Sequence, residues 1–510
     1  MIIYFFELFS LHVKSKCLLK SWKCHFKNPY RAFLELLEQE IFLSPNQLAI
    51  FFLQSQKPAN EIRIIQCEAP DLNGVARGVI TTTPFFKEGV EKNGFGYVST
   101  MLGGFQTTGE MVDETGLTFD VSFQNGFLKP DLDSFRILPW FDEKNGKTAS
   151  VLCDFQFEGD TENETLKNIA EASCRQQCKS QLNKLEEMGF KIYSAFEYEF
   201  YLVDKQTLQP LHAHNNMYSR VIHNMVRPII SDILHNLELI GITPELYQAE
   251  FGHCQQELSI KPKYGISAVD DAFHYKALVK EVALKHNIRA LCLSKPFADR
   301  SGCSSHFNHS LWNVSDGKNA FFDSEKPDKL SNISKNWLAG LQEHAKGLTA
   351  LFCITTNCFE RCKPMTFAPT NNSWGYDNRT VAFRAKNDSP SHTYLENRIP
   401  GAGSNPYLVM TGCLIAGVDG IKRNLQIKSK PYHGNLYKAK ELPEGVEHLP
   451  ENLDEALRHL QDDKILCDEL GDVFIKAFVA LKKNEIEKSK TFIVEADRFK
   501  HSRQSHGLFL

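Results

Sequence analysis

No stretch of the chain approaches about 18 consecutive uncharged apolar residues, the least a bilayer-spanning helix needs, so nothing in it points to a membrane. The apolar opening, MIIYFFELFSLHVKSK, is too short and is interrupted by Glu7. It also lacks the basic leading segment and small-residue cleavage site of a secretory signal, and is expected to form a floppy or packed extension. Charge of one sign is scarce: the net value is −4 over 510 residues, which gives no reason to expect nucleic acid or an anionic membrane as partner. The 14 cysteines include no Cys-x-x-Cys pair, the nearest spacings being Cys174 with Cys178 and Cys358 with Cys362. Scattered in this way, they read as reduced, buried thiols of an intracellular, cytoplasmic protein. No Gly-x-x-x-x-Gly-Lys-Ser/Thr loop occurs, so any ATP chemistry must do without a P-loop. Internal repeats, low-complexity tracts and long linkers are also absent.

What is there is an ordinary globular composition, 42% hydrophobic and 24% charged, long enough for two or more domains. Residues 30–57 look helical, with Ser44 and Pro45 placed to start a second helix. From NEIRIIQCEAPDLNGVARGVITTT onward the pattern turns to short strands, with turn signals at Asp71–Gly74 and near Gly94, Gly96, Gly103 and Gly104. The two prolines of KPDLDSFRILPW (129–140) mark a boundary just after them. Beyond it, longer helices alternate with strands. ETLKNIAEASCRQQCKSQLNKLEEMGF predicts one helix with Leu166, Ile169, Leu182 and Leu185 on its apolar stripe, and 270–287 predicts another, followed by the strand IRALCLS. The expectation is an α+β chain: an extension over 1–58, a small β-rich domain over 59–145, a large α/β domain over 146–500 and a loose tail over 501–510.

One strand stands out. In SAFEYEFYLV (194–203), alternation puts Phe196, Tyr198 and Phe200 on one face and Glu197 with Glu199 on the other. Two carboxylates about 7 Å apart repel by about 2 kcal/mol at an effective dielectric near 20. An exposed edge tolerates that. A strand this aromatic is expected to be buried on both sides, where carboxylates need cations. Candidate companions lie elsewhere: Glu250 and Glu257 in QAEFGHCQQELSI; His306, Asn308 and His309 in SGCSSHFNHSLW; Arg361 in NCFERCKP. Arg379 and Arg384 lie in NNSWGYDNRTVAFR, and Glu396 and Arg398 in YLENRIPGAGSNPYL. Oxygen ligands with an imidazole suit Mg²⁺ or Mn²⁺, and no thiolate cage for zinc is present. Arginines beside such ions suit phosphate, which they bind bidentately, and phosphoryl transfer from ATP is the matching chemistry.

In this order, DLNGVARG, PDLDSFRILPW, FEYEFYL, FHYKALVKEVALKH, SSHFNHSLW, WGYDNRTVAFR and ENRIPGAGSNPYL resemble the glutamine synthetase family over about residues 60–500, notably its class I and lengsin-like branches. The resemblance implies a small N-terminal β-grasp domain and a large catalytic domain, assembled in homo-oligomeric rings, a dodecamer being the family's expectation, with active sites between adjacent subunits. It implies two or more Mg²⁺ or Mn²⁺ ions per site and ATP as co-substrate, with glutamate activated as γ-glutamyl phosphate for attack by ammonia or an amine. Carried over, Glu199, Glu250 and Glu257 resemble ligands of the metal nearer glutamate, and Glu197, His306 and Glu396 those of the metal holding the nucleotide phosphates. Arg361 and Arg398 match positions that grip substrate carboxylates, with the Gly302 backbone near the amino group. Arg379 and Arg384 match arginines that neutralise the transferred phosphoryl, Ser310 matches a nucleotide contact, and Asp120 matches loosely the acidic residue a neighbouring subunit lends.

The departures bear on turnover. Phe367 stands where ammonia-using relatives carry a flap glutamate, and Tyr394 where an arginine usually contacts ATP. Asn308 replaces a common histidine, Ser301 an asparagine of the substrate loop, and Cys254 the glycine before the Gln-x-Glu unit. Two expectations follow: an ATP-dependent ligase joining glutamate to ammonia or an amine, or a lengsin-like homologue that keeps the fold in a structural or chaperone-like role without activity.

Overall fold

A computed structural model of the chain describes residues 62–92, 94–141, 146–158, 162–492 and 495–510. The extension over 1–58, with its expected helices, lies outside the described residues. The described part falls within one compact unit, Lys57–Leu510, and is a mixed α/β structure with two sheets.

The first sheet comprises β1 (Ile62–Pro70), β2 (Ala76–Thr82), β3 (Phe95–Val98), β4 (Asn125–Pro130), β5 (Arg136–Ile137) and β6 (Lys147–Gln156). Its order is β2-β1-β6-β4-β3, with β5 also on β6. The expected turn between β1 and β2 forms because the Asp71 carboxylate accepts from the Asn73 and Val75 amides and Gly74 takes a φ of +79°. β6 runs parallel to β1, so this sheet continues past residue 145.

The second sheet is built on β7 (Phe190–Asp204), and the remaining strands are β8 (Pro244–Ala249), β9 (Gln255–Ile260), β10 (Lys263–Tyr264), β11 (Ile288–Leu291), β12 (Ser305–Asn313), β13 (Trp374–Tyr376), β14 (Phe383–Asn387) and β15 (Thr393–Asn397). The order is β13-β14-β15-β12-β7-β9-β8, with β10 and β11 also pairing β7. The aromatic face of β7 is core. Phe196, Tyr198 and Phe200 are at most 1% exposed. Phe196 packs on Phe307 at 4.7 Å between ring centroids, and Tyr198 stacks on Tyr275 of helix Ile266–Lys285 at 5.1 Å. The opposite face of this sheet carries the polar residues.

Two expectations are corrected. The single helix expected before β7 is three pieces: helix Glu164–Lys167, a 3₁₀ turn Ile169–Ala172 and helix Cys174–Glu187. Ser173 causes the break: its backbone is extended and its side chain accepts from the Gln176 amide, capping the last piece. The segment expected as a loose tail is instead docked. Helices Glu495–Gln504 and His506–Phe509 hold it, Arg503 Nη1 donates to the Pro296 carbonyl at 2.9 Å, and Leu510 is buried.

A buried ionic knot joins the first sheet to the helices behind the second. Arg175, 1% exposed, reaches Asp131, Asp154 and Asp270, each at 2.8 Å, and the Tyr407 hydroxyl donates to Asp270 at 2.7 Å. A buried guanidinium is tolerable only with such partners.

Candidate active site

Strand register assembles the site. β12 lies antiparallel to β7 with His306 opposite Glu197, and β15 lies antiparallel to β12 with Glu396 opposite Asn308. β14 sets Arg384 opposite Glu396, while β9 sets Glu257 opposite Glu199. Because alternate residues share a face, Glu197, Glu199, His306, Asn308, Glu396 and Arg384 emerge on the side away from the aromatic core. His309 falls on the other face and accepts a hydrogen bond from Trp337 Nε1 at 3.0 Å, which makes it a core histidine.

At the centre, ligand atoms of Glu197, His306 and Glu396 all lie within 4.8 Å of one another. His306 Nδ1 is 3.4 Å from Glu396 and 3.7 Å from Glu197. Burial holds the imidazole well below its usual range, reinforced by Arg398, so it is neutral and able to ligate. Glu396 is 2% exposed; burial pushes its carboxyl up, but the guanidiniums of Arg398 and Arg384 outweigh that and hold it below the ordinary value. Arg384 Nη1 donates to it at 2.7 Å, Arg398 Nη1 to its other oxygen. Two carboxylates and a neutral imidazole, backed by cations and converging on one point, fit a hard divalent ion such as Mg²⁺ or Mn²⁺.

Glu199, Glu250 and Glu257 neighbour one another but do not converge as closely. Among the described residues, the Glu197–His306–Glu396 trio alone meets the spacing of a closed ligand set. Burial and Glu250 push Glu199 up, although it accepts from the Ser304 amide and hydroxyl at 3.1 and 2.7 Å and from Gln255 Nε2 at 2.8 Å. Glu257 is pushed up to about 10 by burial and then by Glu199, Glu197 and Glu250. Gln248 Nε2 bridges Glu250 and Glu257 at 2.7 and 3.1 Å. This acidic corner is short of positive charge.

The arginines divide. Arg384 is saturated: besides Glu396, its Nε donates to Asp377 at 2.9 Å. Arg398 keeps a buried Nε without a hydrogen-bond partner, an unfilled donor beside the trio. Arg361 is buried and spends Nη1 and Nη2 on the Ile399 and Arg398 carbonyls at 2.9 and 3.1 Å. Its stem crosses Gly302, where a Cβ would sit 2.8 Å from Arg361 Cγ, so only glycine fits there. Arg379 is exposed.

Ser310 is buried and accepts from Trp312 Nε1 at 3.0 Å. Asp120 stands apart from the trio, exposed and 3.0 Å from Lys476. Phe367 is 62% exposed, at a left-handed φ of +56°, with its ring edge-on to Tyr437 and its carbonyl facing Arg398 Nη2. Tyr394 lies two residues before Glu396 on the same face; burial, then Glu197 and Glu396, push its phenol up to about 12. Cys254 takes a φ of +57°, which explains a glycine preference there. Of the residues that orient the charged groups, sequence reasoning named Asn308 and missed the rest. Asn308 Nδ2 donates to Glu197 at 2.9 Å, Gln248, Gln255 and Ser304 likewise donate to their glutamates, and Asp377 accepts from Arg384 Nε. For Gln248 the alternation with Glu250 was an available signal.

Comparison with known proteins identifies the family. The family model described as "Glutamine synthetase, catalytic domain" matches residues 171–500. A glutamate–isopropylamine ligase of Pseudomonas sp. is 32% identical over 446 residues, covering 85% of this chain and 94% of the relative. Human lengsin is 30% identical over 469 residues, with 90% and 87% covered, and the glutamine synthetase of Thermotoga maritima is 28% identical over 446 residues, with 85% and 94% covered. A solved structure described as the GmaS/ADP complex superposes with a TM-score of 0.73 at 25% identity, over 86% of this chain and 97% of its own. With well over half the chain matched, the fold and the carboxylate-lined sheet define a glutamine synthetase-type ligase scaffold. The chain belongs to the glutamine synthetase family.

Proposed function

We propose that this chain is an ATP-dependent carboxylate–amine ligase that activates the γ-carboxylate of glutamate as γ-glutamyl phosphate for attack by ammonia or an amine. The observation that carries the proposal is the convergence of Glu197, His306 and Glu396, with Glu396 held between Arg384 and Arg398. A structural relic under no chemical constraint has no need of a buried glutamate facing two arginines and a neutral imidazole.

Glu197, His306 and Glu396 would hold one Mg²⁺ or Mn²⁺, and Glu199, Glu250 and Glu257 another, the acidic corner gaining the positive charge it lacks. Such ions, when bound, act as Lewis acids that cancel repulsion between the substrate carboxylate and the ATP phosphates. The chain's own groups do the rest. Asn308 and Ser304 aim Glu197 and Glu199. Arg398 grips a substrate carboxylate, with Arg361 as its positioning residue through the Arg398 carbonyl. Arg384 and the exposed Arg379 neutralise the transferred phosphoryl, and Ser310 contacts the nucleotide. Gly302 contributes backbone beside the amino group. Phe367 cannot attract ammonium, and its exposed ring suits an apolar amine, in keeping with a relative named for isopropylamine.

We further propose the family's organisation: a β-grasp unit over 59–145 completed by β6, a catalytic unit over 146–500, and a cytoplasmic homo-oligomeric ring, with Asp120 exposed toward a neighbour's ammonium site. A second, lengsin-like reading without turnover draws support from Tyr394, whose phenol occupies the carboxylate row where an arginine would meet ATP. The test is phosphate release from Mg²⁺- or Mn²⁺-ATP with glutamate and ammonia, ethylamine, isopropylamine or putrescine. Acceptor-dependent release supports the ligase; its absence from folded, assembled protein supports the second reading.

A further inference from the structure

Residues 294–303 form a loop between β11 and β12 that brings Gly302 beneath the Arg361 stem. The loop is closed at its base, where the Cys303 amide donates to the Ser294 carbonyl at 2.8 Å. Asn357, on helix Thr356–Arg361, brackets Lys295: its Oδ1 accepts from the Lys295 amide at 2.9 Å and its Nδ2 donates to the Lys295 carbonyl at 2.7 Å. On the side of the site, the Ser301 carbonyl accepts from the Tyr201 hydroxyl at 2.9 Å. The Gly302 carbonyl accepts from Gln255 Nε2 at 2.9 Å, the same amide that donates to Glu199 at 2.8 Å. A displacement of the loop therefore reaches the site through backbone.

The outer half of the loop is held by segment 495–510. Arg503, on helix Glu495–Gln504, donates from Nη1 to the Pro296 carbonyl at 2.9 Å, and its guanidinium carbon lies 4.9 Å from the Phe297 ring centroid. Arg300, from the loop itself, lies over the same ring at 4.8 Å, and Tyr201 meets it edge-on at 5.3 Å. Phe297 is buried, so one ring couples Arg503 to Arg300 and to Tyr201, the two neighbours of Ser301. The same segment reaches the helix of Arg361: Arg498 Nη2 pairs with Glu360 at 2.8 Å, one residue before Arg361. Neither arginine is needed to dock the segment, because Phe499 and Leu510 are buried and Lys280 Nζ donates to the Phe509 carbonyl at 3.1 Å. Burial and then Arg300 disfavour the Arg503 charge. An apolar side chain would dock the segment without that cost, so the cation acts on the loop.

We propose that segment 495–510 braces the glutamate side of the site, with Arg503 and Arg498 as positioning residues for the Gly302 backbone and for Arg361, given the ligase reading of that site. Arg503 fixes Pro296 and Phe297, and the Ser294–Cys303 closure passes that constraint to Gly302. Arg498 fixes Glu360 and with it the end of the short helix that delivers Arg361. Neither arginine touches substrate; each acts through another residue. Glu197, His306 and Glu396 are set by strand register, which the segment does not reach. Releasing the brace therefore weakens the grip on glutamate and spares the nucleotide side. A lost ground-state grip raises KM more than it lowers kcat.

The test compares the full-length wild type with Arg503→Ala, Arg503→Lys and Arg498→Gln, by phosphate release with varied glutamate and varied ATP and by hydrogen exchange of backbone amides. In Arg503→Ala, KM for glutamate rises about fivefold or more while KM for ATP and kcat stay within about twofold. Exchange quickens across 294–303, including the Cys303 amide. Arg503→Lys, which keeps a cation to donate to Pro296, restores both. If Arg503→Ala detaches the whole segment, Arg498→Gln decides, and it must raise KM for glutamate with 495–510 still protected. Faster exchange confined to 495–510, or KM values for ATP and glutamate that rise together, overturns the proposal. A wild type that releases no phosphate refutes the ligase reading instead, and exchange across 294–303 then decides alone whether the segment positions the loop.

Discussion

Glu396→Gln keeps the side-chain shape and removes one buried negative charge. The carboxylate is 2% exposed, with Arg384 at 2.7 Å on one oxygen, Arg398 on the other and His306 at 3.4 Å. Glutamine can accept from one guanidinium, but its amide N–H₂ then faces the other, and both cations lose their buried anion. Breaking a buried pair in this way costs about 3–5 kcal/mol. The same change removes one of the trio's ligands. A cation present at 100 times its Kd stabilises the native state by about 2.7 kcal/mol, and the variant forgoes that as well. Wild type and variant are unfolded in urea, followed by circular dichroism, with and without Mn²⁺; at unchanged slope, the midpoint reports stability. The expected outcome is a variant less stable by about 3 kcal/mol or more without metal, the gap widening when Mn²⁺ is added. A variant within about 1 kcal/mol of wild type that still gains stability from Mn²⁺ would refute the assignment of Glu396 as a buried ligand.

Other outcomes follow from the same structure. Arg175→Met strands Asp131, Asp154 and Asp270 and is expected to cost about 3–5 kcal/mol by urea midpoint, softened where Lys179 compensates Asp131 and Asp154. Burial lowers His344 but hydrogen bonds and charge from Asp463 and Asp419 outweigh it, so its folded pKa is raised. Its contribution is fully present below the unfolded value of 6.5 and is lost as pH rises through the raised folded value; His344→Gln should flatten stability over that window. Gly302→Ala drives a methyl onto Arg361 Cγ and the Ser294 carbonyl, each 2.8 Å from it, and is expected to cost about 1–3 kcal/mol and to raise KM for glutamate more than it lowers kcat. Phe367→Glu lies on an exposed loop, so stability should move by about 0.5 kcal/mol or less while the acceptor preference shifts toward ammonia.

Period-two alternation made the site's core legible. FEYEFYL announced a strand with aromatic and acidic faces, and Phe196 and Tyr198 pack as that pattern requires. The meeting of Glu197, His306 and Glu396 came from family resemblance, because three strands far apart in sequence supply them and only register brings them together. The three-part helix before β7 escaped notice because the apolar stripe continues through Ser173, whose capping bond is local and invisible to periodicity. The docked C-terminal segment was missed for another reason: its polar composition hides cations that satisfy backbone carbonyls on β11's flank, as Arg503 does at Pro296. Arg361 was matched to a substrate position, yet it holds two carbonyls, a role no spacing rule conveys.

The central claim, that this carboxylate row still supports ligation, is tested most directly by phosphate release from Mn²⁺-ATP and glutamate with isopropylamine as acceptor. The account predicts release that requires both glutamate and the amine, yields the γ-glutamyl amide in equal amount, and disappears in Glu396→Gln. Assembled, Mn²⁺-stabilised protein that releases no phosphate with any acceptor would contradict it.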